Sequence, residues 1–215
     1  YAQVADEAPL RAWRFARPID AAATVHLEYR AAVAEICRDF CVDAVVVSSL
    51  IGHSLDILDT GLPTVFLSHD YFPYCPAINL HFDGLCTQCD GARVAECFAG
   101  NPKFNPFITF LPPQRLAVRE RFLELMRRPN LTLAAPSRSV EDNLKRLDAR
   151  FGDVAFAIVP HGYGRPLRRV DHAVPGANER LRILVLGQIS VLKGLDLFLA
   201  ALPRLREFAE IFLVG

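Results

Sequence analysis

The sequence predicts an α/β fold built on a parallel sheet, and three observations carry that reading. Short all-apolar runs of strand length, at residues 43–48, 62–68, 131–135 and 154–159, alternate with longer stretches of helical period. The stretches joining them are long enough to be crossovers, which parallel neighbours require. The runs also lack the in–out alternation of a half-exposed strand, which suits strands covered on both faces. The 215 residues, 52% hydrophobic and 22% charged, supply one large domain or one domain and part of another.

The first twenty residues show no clear period. Asp20 stands where it can cap a helix over 21–40, with Val25, Tyr29, Val33, Ile36, Cys37 and Phe40 along one face. A strand over 43–48 follows, then a short helix over 53–60 with Gly61 placed to end it. The second strand, 62–68, stops at the polar pair His69 and Asp70. Residues 70–112 read as a long loop rich in aromatics and proline, and it holds four of the six cysteines. A loop of that length is uncommon unless it is functional or stapled.

Pro113 opens the next helix, which runs to about residue 128. It carries Arg115, Arg119, Arg121, Arg127 and Arg128, and reads as a packed helix with a solvated basic face; contact with an anionic membrane surface is the alternative. A strand at 131–135, a helix begun by Pro136-Ser137-Arg138-Ser139 and running to Leu147, and a strand at 154–159 complete the first pattern. The expected first domain is therefore residues 1–165, truncated at its start. Residues 166–179 read as a polar linker. The pattern then restarts with a strand over 181–187, a helix over 194–208 and a further strand over 210–214, so residues 180–215 are expected to begin a second domain.

Lys plus Arg equals Asp plus Glu at 24 each, so no bulk field exists to draw in nucleic acid. No apolar run approaches the ~18–20 residues of a membrane span, and the first residues carry no basic flank or apolar core of a secretory signal. The expected location is the cytoplasm, with peripheral contact at the inner face of the membrane if the Arg-rich helix is used that way.

Candidate chemistry gathers at strand ends. His69 and Asp70 close an apolar strand, where a ligand crevice forms in open α/β sheets, and an imidazole there can donate a hydrogen bond or move a proton near neutral pH. Cys75, Cys86, Cys89 and Cys97 are spaced C-x10-C-x2-C-x7-C. That spacing admits a tetrahedral structural zinc, with disulfides and unliganded apolar thiols as the alternatives. Gly187 and the Lys193-Gly194 pair sit between a strand and a helix, where amides and a point charge can meet a phosphate. Pro160-His161-Gly162 ends another strand. GxSxG and HExxH are absent, which argues against common hydrolases.

Four stretches together resemble the retaining glycosyltransferases of family four (group 1), of GT-B fold. The run from His69 to Pro76 is similar to the segment that closes the N-terminal Rossmann-like domain. Ala135-Pro136-Ser137-Arg138-Ser139 resembles a later strand-to-helix step. Val159-Pro160-His161-Gly162 resembles the turn before the domain crossover, and 184–196 resembles the opening of the donor-binding domain. Their order and spacing match over about residues 43–215.

The resemblance implies transfer of a sugar from a nucleotide-sugar donor to a saccharide or lipid-linked acceptor, with retention. It implies catalytic roles at His69 and Asp70, and substrate binding at Ser137, Arg138, His161, Gly162, Gly187, Lys193 and Gly194. It implies no catalytic metal, so a zinc would be structural. Two positions depart from the family: Gln188 replaces an arginine and His161 an asparagine. The family's N-terminal Gly-rich loop and donor-site glutamate pair are not in this sequence, so the chain is expected to be a central piece, inactive or nearly so by itself. The alternatives are a GT-B-like binding domain without transfer activity, and a metal-binding interaction module built on the cysteine loop.

Overall fold

The structure is a computed structural model that describes residues 11–20, 23–101, 111–162, 180–187 and 189–214. The expected linker and Gln188 lie outside the described residues. The chain divides into two compact units, the first ending at Gly162 and the second starting at Tyr163.

The first unit is a four-stranded sheet of β1 (Val45–Val47), β2 (Thr64–Leu67), β3 (Leu131–Ala135) and β4 (Phe156–Ile158). All neighbours are parallel and the spatial order is the order of the sequence. β3 is central, and Leu131, Leu133 and Ala135 are fully buried. Around them pack Phe66, Leu125, Met126 and Phe122, whose ring meets Phe66 edge-on at 5.6 Å between centroids. Each such side chain contributes roughly 1.5–3 kcal/mol by leaving water.

The edges depart from the expectation of strands covered on both faces. Among the described residues β1 stands at an edge of the sheet, and Val46 is 67% exposed. Helix α1 runs from Leu27 to Asp39 and is capped by His26, whose Nδ1 accepts the Tyr29 N–H at 3.1 Å. Asp20 therefore does not cap it, and of the expected apolar face only Val33 is buried while Phe40 is 52% exposed. The helix expected over 53–60 is a single 3-10 turn, Leu55–Leu58.

The expected loop of 70–112 contains a helix, α2 (Gly91–Gly100), capped by the Asp90 carboxylate on the Arg93 N–H at 2.8 Å. Helix α3 (Pro112–Met126) begins where Gln114 Oε1 accepts the Leu111 N–H at 2.9 Å. Its basic face is solvated only in part, with Arg127 exposed. Arg115 and Arg119 are buried, Arg121 and Arg128 both pair with Asp59, and Arg127 pairs with Asp153. Helix α4 (Arg138–Leu147) closes the layer, and a 3-10 turn at Ala149–Asp153 leads into β4.

The second unit pairs β5 (Leu181–Leu186) with β6 (Ala209–Val214) in parallel through α5 (Leu195–Leu205). This is one βαβ crossover. A 3-10 turn, Val191–Lys193, precedes the helix.

Candidate functional site

The carboxyl ends of β2, β3 and β4 lie along one edge of the sheet, because the strands are parallel and in register. His69 follows β2, Ser137 and Arg138 follow β3, and His161 and Gly162 follow β4. The imidazoles of His69 and His161 stack with ring centroids 6.0 Å apart and planes 7° from parallel. They line a groove of about 180 Å³ floored by Leu67, Ala134 and Pro136. Both rings are exposed, as is Arg138. The groove is smaller than the roughly 300–1,000 Å³ of an enclosed ligand pocket, so it suits part of a polar ligand.

Ser48, at the end of β1, joins this edge with Oγ 3.5 Å from His69 Nε2. It also lines a neighbouring recess of about 390 Å³ with Tyr29 and His53, whose Oη and Nδ1 are 2.9 Å apart. Burial pushes the Tyr29 phenol up to about 12. Sequence reasoning missed Ser48, Tyr29 and His53. Only the strand-end position of Ser48 was a signal, since the other two meet across separate elements.

Asp70 is positioned differently from its neighbour. Its Oδ1 accepts the Phe72 N–H at 2.8 Å, an Asx turn that starts the following loop. Burial raises its pKa, against the Phe72 N–H and the nearby His69. Ser68 fixes the same turn by donating its hydroxyl to the Asp70 carbonyl at 2.7 Å. Asp70 thus shapes the turn that follows His69. Ser137 precedes α4 and shares a hydrogen bond with Ser139 at 2.7 Å between their hydroxyl oxygens, without capping the helix.

In the second unit, Gly187, Lys193 and Gly194 line one pocket of about 270 Å³ with Ser190, Leu195 and Phe198. Gly187 has φ +116° and Gly194 φ +84°, conformations that side chains disfavour. The glycines let the chain leave β5 and enter α5 abruptly, and the Gly194 and Leu195 N–H groups at the pocket donate to the Val191 and Ser190 carbonyls at 3.1 Å each. Lys193 is exposed there.

The cysteine loop is ordered by its own hydrogen bonds. Cys75 N–H donates to Tyr71 O at 2.8 Å, Tyr71 N–H to Ile78 O at 2.9 Å, and Cys86 N–H to Leu80 O at 2.7 Å. Ile78, Leu80 and Asp83 adopt left-handed φ of 56°, 56° and 53°. Such conformations cost roughly 1–3 kcal/mol each, most for a β-branched residue. Cys75 and Cys97 are buried in one apolar cluster with Ala77 and Leu80, and Cys86 packs against it. Arg119 spans the loop, donating to Tyr74 O at 3.1 Å, Cys89 O at 2.7 Å and Cys89 Sγ at 3.2 Å.

Burial pushes the Cys75 thiol up to about 12, so it is a neutral thiol and no nucleophile. The six cysteines form no disulfide. Among the described residues no three His, Cys, Asp or Glu side chains converge closely enough to hold one metal ion, so the four cysteines do not draw the tight shell that their spacing admits. Comparison with known protein families, curated proteins and solved structures found no match to this chain.

Proposed function

We propose that the chain is part of a retaining glycosyltransferase of GT-B type, taking a sugar from a nucleotide-sugar donor to a saccharide or lipid-linked acceptor. The observation that carries the reading is the polar edge of the sheet, where His69 and His161 stand parallel 6.0 Å apart at the ends of alternate strands. That is where open α/β sheets keep their ligands. Two imidazoles and the hydroxyl of Ser48 offer hydrogen-bond donors and acceptors to a polar ligand there. His69 contacts the reacting sugar or its acceptor, and His161 and Gly162 bind substrate beside it.

The second unit supports the same reading separately. The end of a strand, a glycine with left-handed φ, a cation and the first residue of α5 border one pocket. A lysine there stabilises a diphosphate as it leaves with its charge. Gly187 lets the phosphate approach the backbone, Lys193 supplies the point charge and Gly194 turns the chain into α5. Ser137 and Arg138 bind the acceptor side, and Asp70 orients the turn that carries His69. No residue is required as a covalent nucleophile, and no cofactor takes part in the transfer.

The test is donor binding and turnover, followed by mass spectrometry across UDP-, GDP- and ADP-sugars. It is run on the chain and on the same protein extended through a complete donor domain. One donor should be turned over by the extended protein, with His69→Ala and Lys193→Ala each lowering the rate by about 100-fold or more. A folded extended protein that binds no donor of the panel rejects the reading.

A further inference from the structure

We propose that the recess beside β1 is a subsite for a neutral saccharide ring, the sugar unit that adjoins the one at His69. The inference rests on reading the sheet edge as a saccharide site, and it narrows the ligand to one with an uncharged sugar at that position. Two observations carry it: the recess is continuous with the groove, and its lining is hydroxylated but uncharged.

The recess measures about 390 Å³, within the roughly 300–1,000 Å³ of a small-molecule pocket, whereas the groove at His161 measures about 180 Å³. Ser48 joins the two. It lines the recess, and its Oγ stands 3.5 Å from Nε2 of His69, which lines the groove. A ligand that is seated at His69 and outgrows the groove therefore finds a second space along the same sheet edge.

The polar groups of the recess come from separate segments: Tyr29 from α1, Ser48 and Ser49 from the end of β1, and His53 from the approach to the 3-10 turn. Phe15 steadies Tyr29, with their rings edge-on at 6.2 Å between centroids. The Tyr29 Oη is 2.9 Å from Nδ1 of His53. Burial and the Asp56 charge push this phenol up to about 12, so it stays a neutral O–H through the physiological range. Donating to Nδ1 leaves the ring proton of His53 on Nε2, a donor, while the phenol oxygen keeps a lone pair that can accept. The Ser49 hydroxyl accepts the Ile51 N–H at 3.2 Å, which leaves its own proton to donate. Val46 and Ile57 add apolar surface for the C–H face of a ring.

No Lys, Arg, Asp or Glu is among the residues that line the recess. Asp56, next to Ile57 in the chain, is buried and engaged by Arg30 at 2.7 Å. A phosphate or carboxylate here would give up water with no cation to replace it, and a bare hydrocarbon chain would leave the phenol, imidazole and serines without partners. A neutral hydroxylated ring meets neither cost. A site built to bond hydroxyls also discriminates against ligands that lack them.

The experiment titrates the isotope-labelled full chain with maltose, lactose and cellobiose, and separately with glucuronate and inorganic phosphate, following the amides of Val46, Ser48 and Ser49 by NMR. A neutral disaccharide should shift these amides, with both anions at least about tenfold weaker. His53→Ala and Tyr29→Phe should each weaken the disaccharide about threefold to tenfold, the loss of one hydrogen bond, with circular dichroism unchanged. A folded chain whose amides none of the disaccharides moves overturns the proposal, as do anions that bind as tightly or a disaccharide that both variants bind unchanged. The readout uses no nucleotide sugar, so the two readings fail separately. An extended protein that binds no donor but takes a disaccharide here keeps the subsite and rejects the transfer; turnover with these amides unmoved by any disaccharide rejects the subsite alone.

Discussion

His69 and Asp70 are adjacent in sequence and separate in what they do. The histidine ring is exposed beside His161, while the aspartate folds back onto its own backbone. A polar pair at the end of an apolar strand was legible in the sequence, but which member faces outward was set by the Ser68 and Phe72 hydrogen bonds. Asp56 gave no signal at all. It is buried, and it accepts the His26 N–H at 2.6 Å, the Ser54 hydroxyl at 2.7 Å and Arg30 Nε at 2.7 Å. It thereby ties the start of α1 to the 3-10 turn, and because its partners lie up to 30 positions away no local pattern could mark it. Asp56→Ala strands a buried hydroxyl and an amide, and should cost about 2–4 kcal/mol in urea unfolding, against less than about 1 kcal/mol for the exposed Asp142→Ala.

At the scale of elements, strands were easier to read than helices. β3 fell on the expected residues because a buried strand is a short apolar run whatever surrounds it. α2 was hidden by the cysteines and glycines of its sequence, although Asp90 followed by Val94 and Cys97 carries a cap and one turn of period. The arginines of α3 misled for another reason: charge alone does not say whether its partner is water or protein. Acid pairs bind the body of the unit around that helix. Arg150 holds the carboxyls of Asp148 and Glu120 below their usual range. At Asp59 burial opposes the charge, but Arg128, Arg121 and Arg30 outweigh it and the net shift is again downward. Groups with depressed folded-state pKa contribute stability above their unfolded values, and that stability is lost as pH falls through the lower folded ones. The urea midpoint should therefore drop between about pH 5 and about pH 3, and Arg150→Gln should flatten the drop. Asp70 acts with the opposite sign, since burial raises its pKa and its ionisation weakens the fold as pH rises through that value.

For the whole molecule, the α/β class with a parallel sheet was readable because period and connection length together leave few topologies. The site was readable only at strand ends, where topology decides position; the cysteine surroundings and the recess at Tyr29 depend on contacts that sequence spacing does not encode. The two units differ in self-sufficiency. The first buries a core of large side chains, whereas the second leaves Leu184, Leu186, Leu197, Leu199 and Phe212 each about half exposed or more. A two-stranded sheet with one helix lacks the layers that independent stability needs. Residues 163–215 expressed alone should show no cooperative thermal transition by circular dichroism, while residues 1–162 should melt as one. The strand order of the first unit has a consequence for synthesis. Among the described residues each strand pairs only with its neighbours in sequence, β2 with β1 and β3, and β3 with β2 and β4. The sheet can therefore grow outward by accretion as the polypeptide leaves the ribosome, with no early strand held open for a distant late partner to be inserted between neighbours already joined.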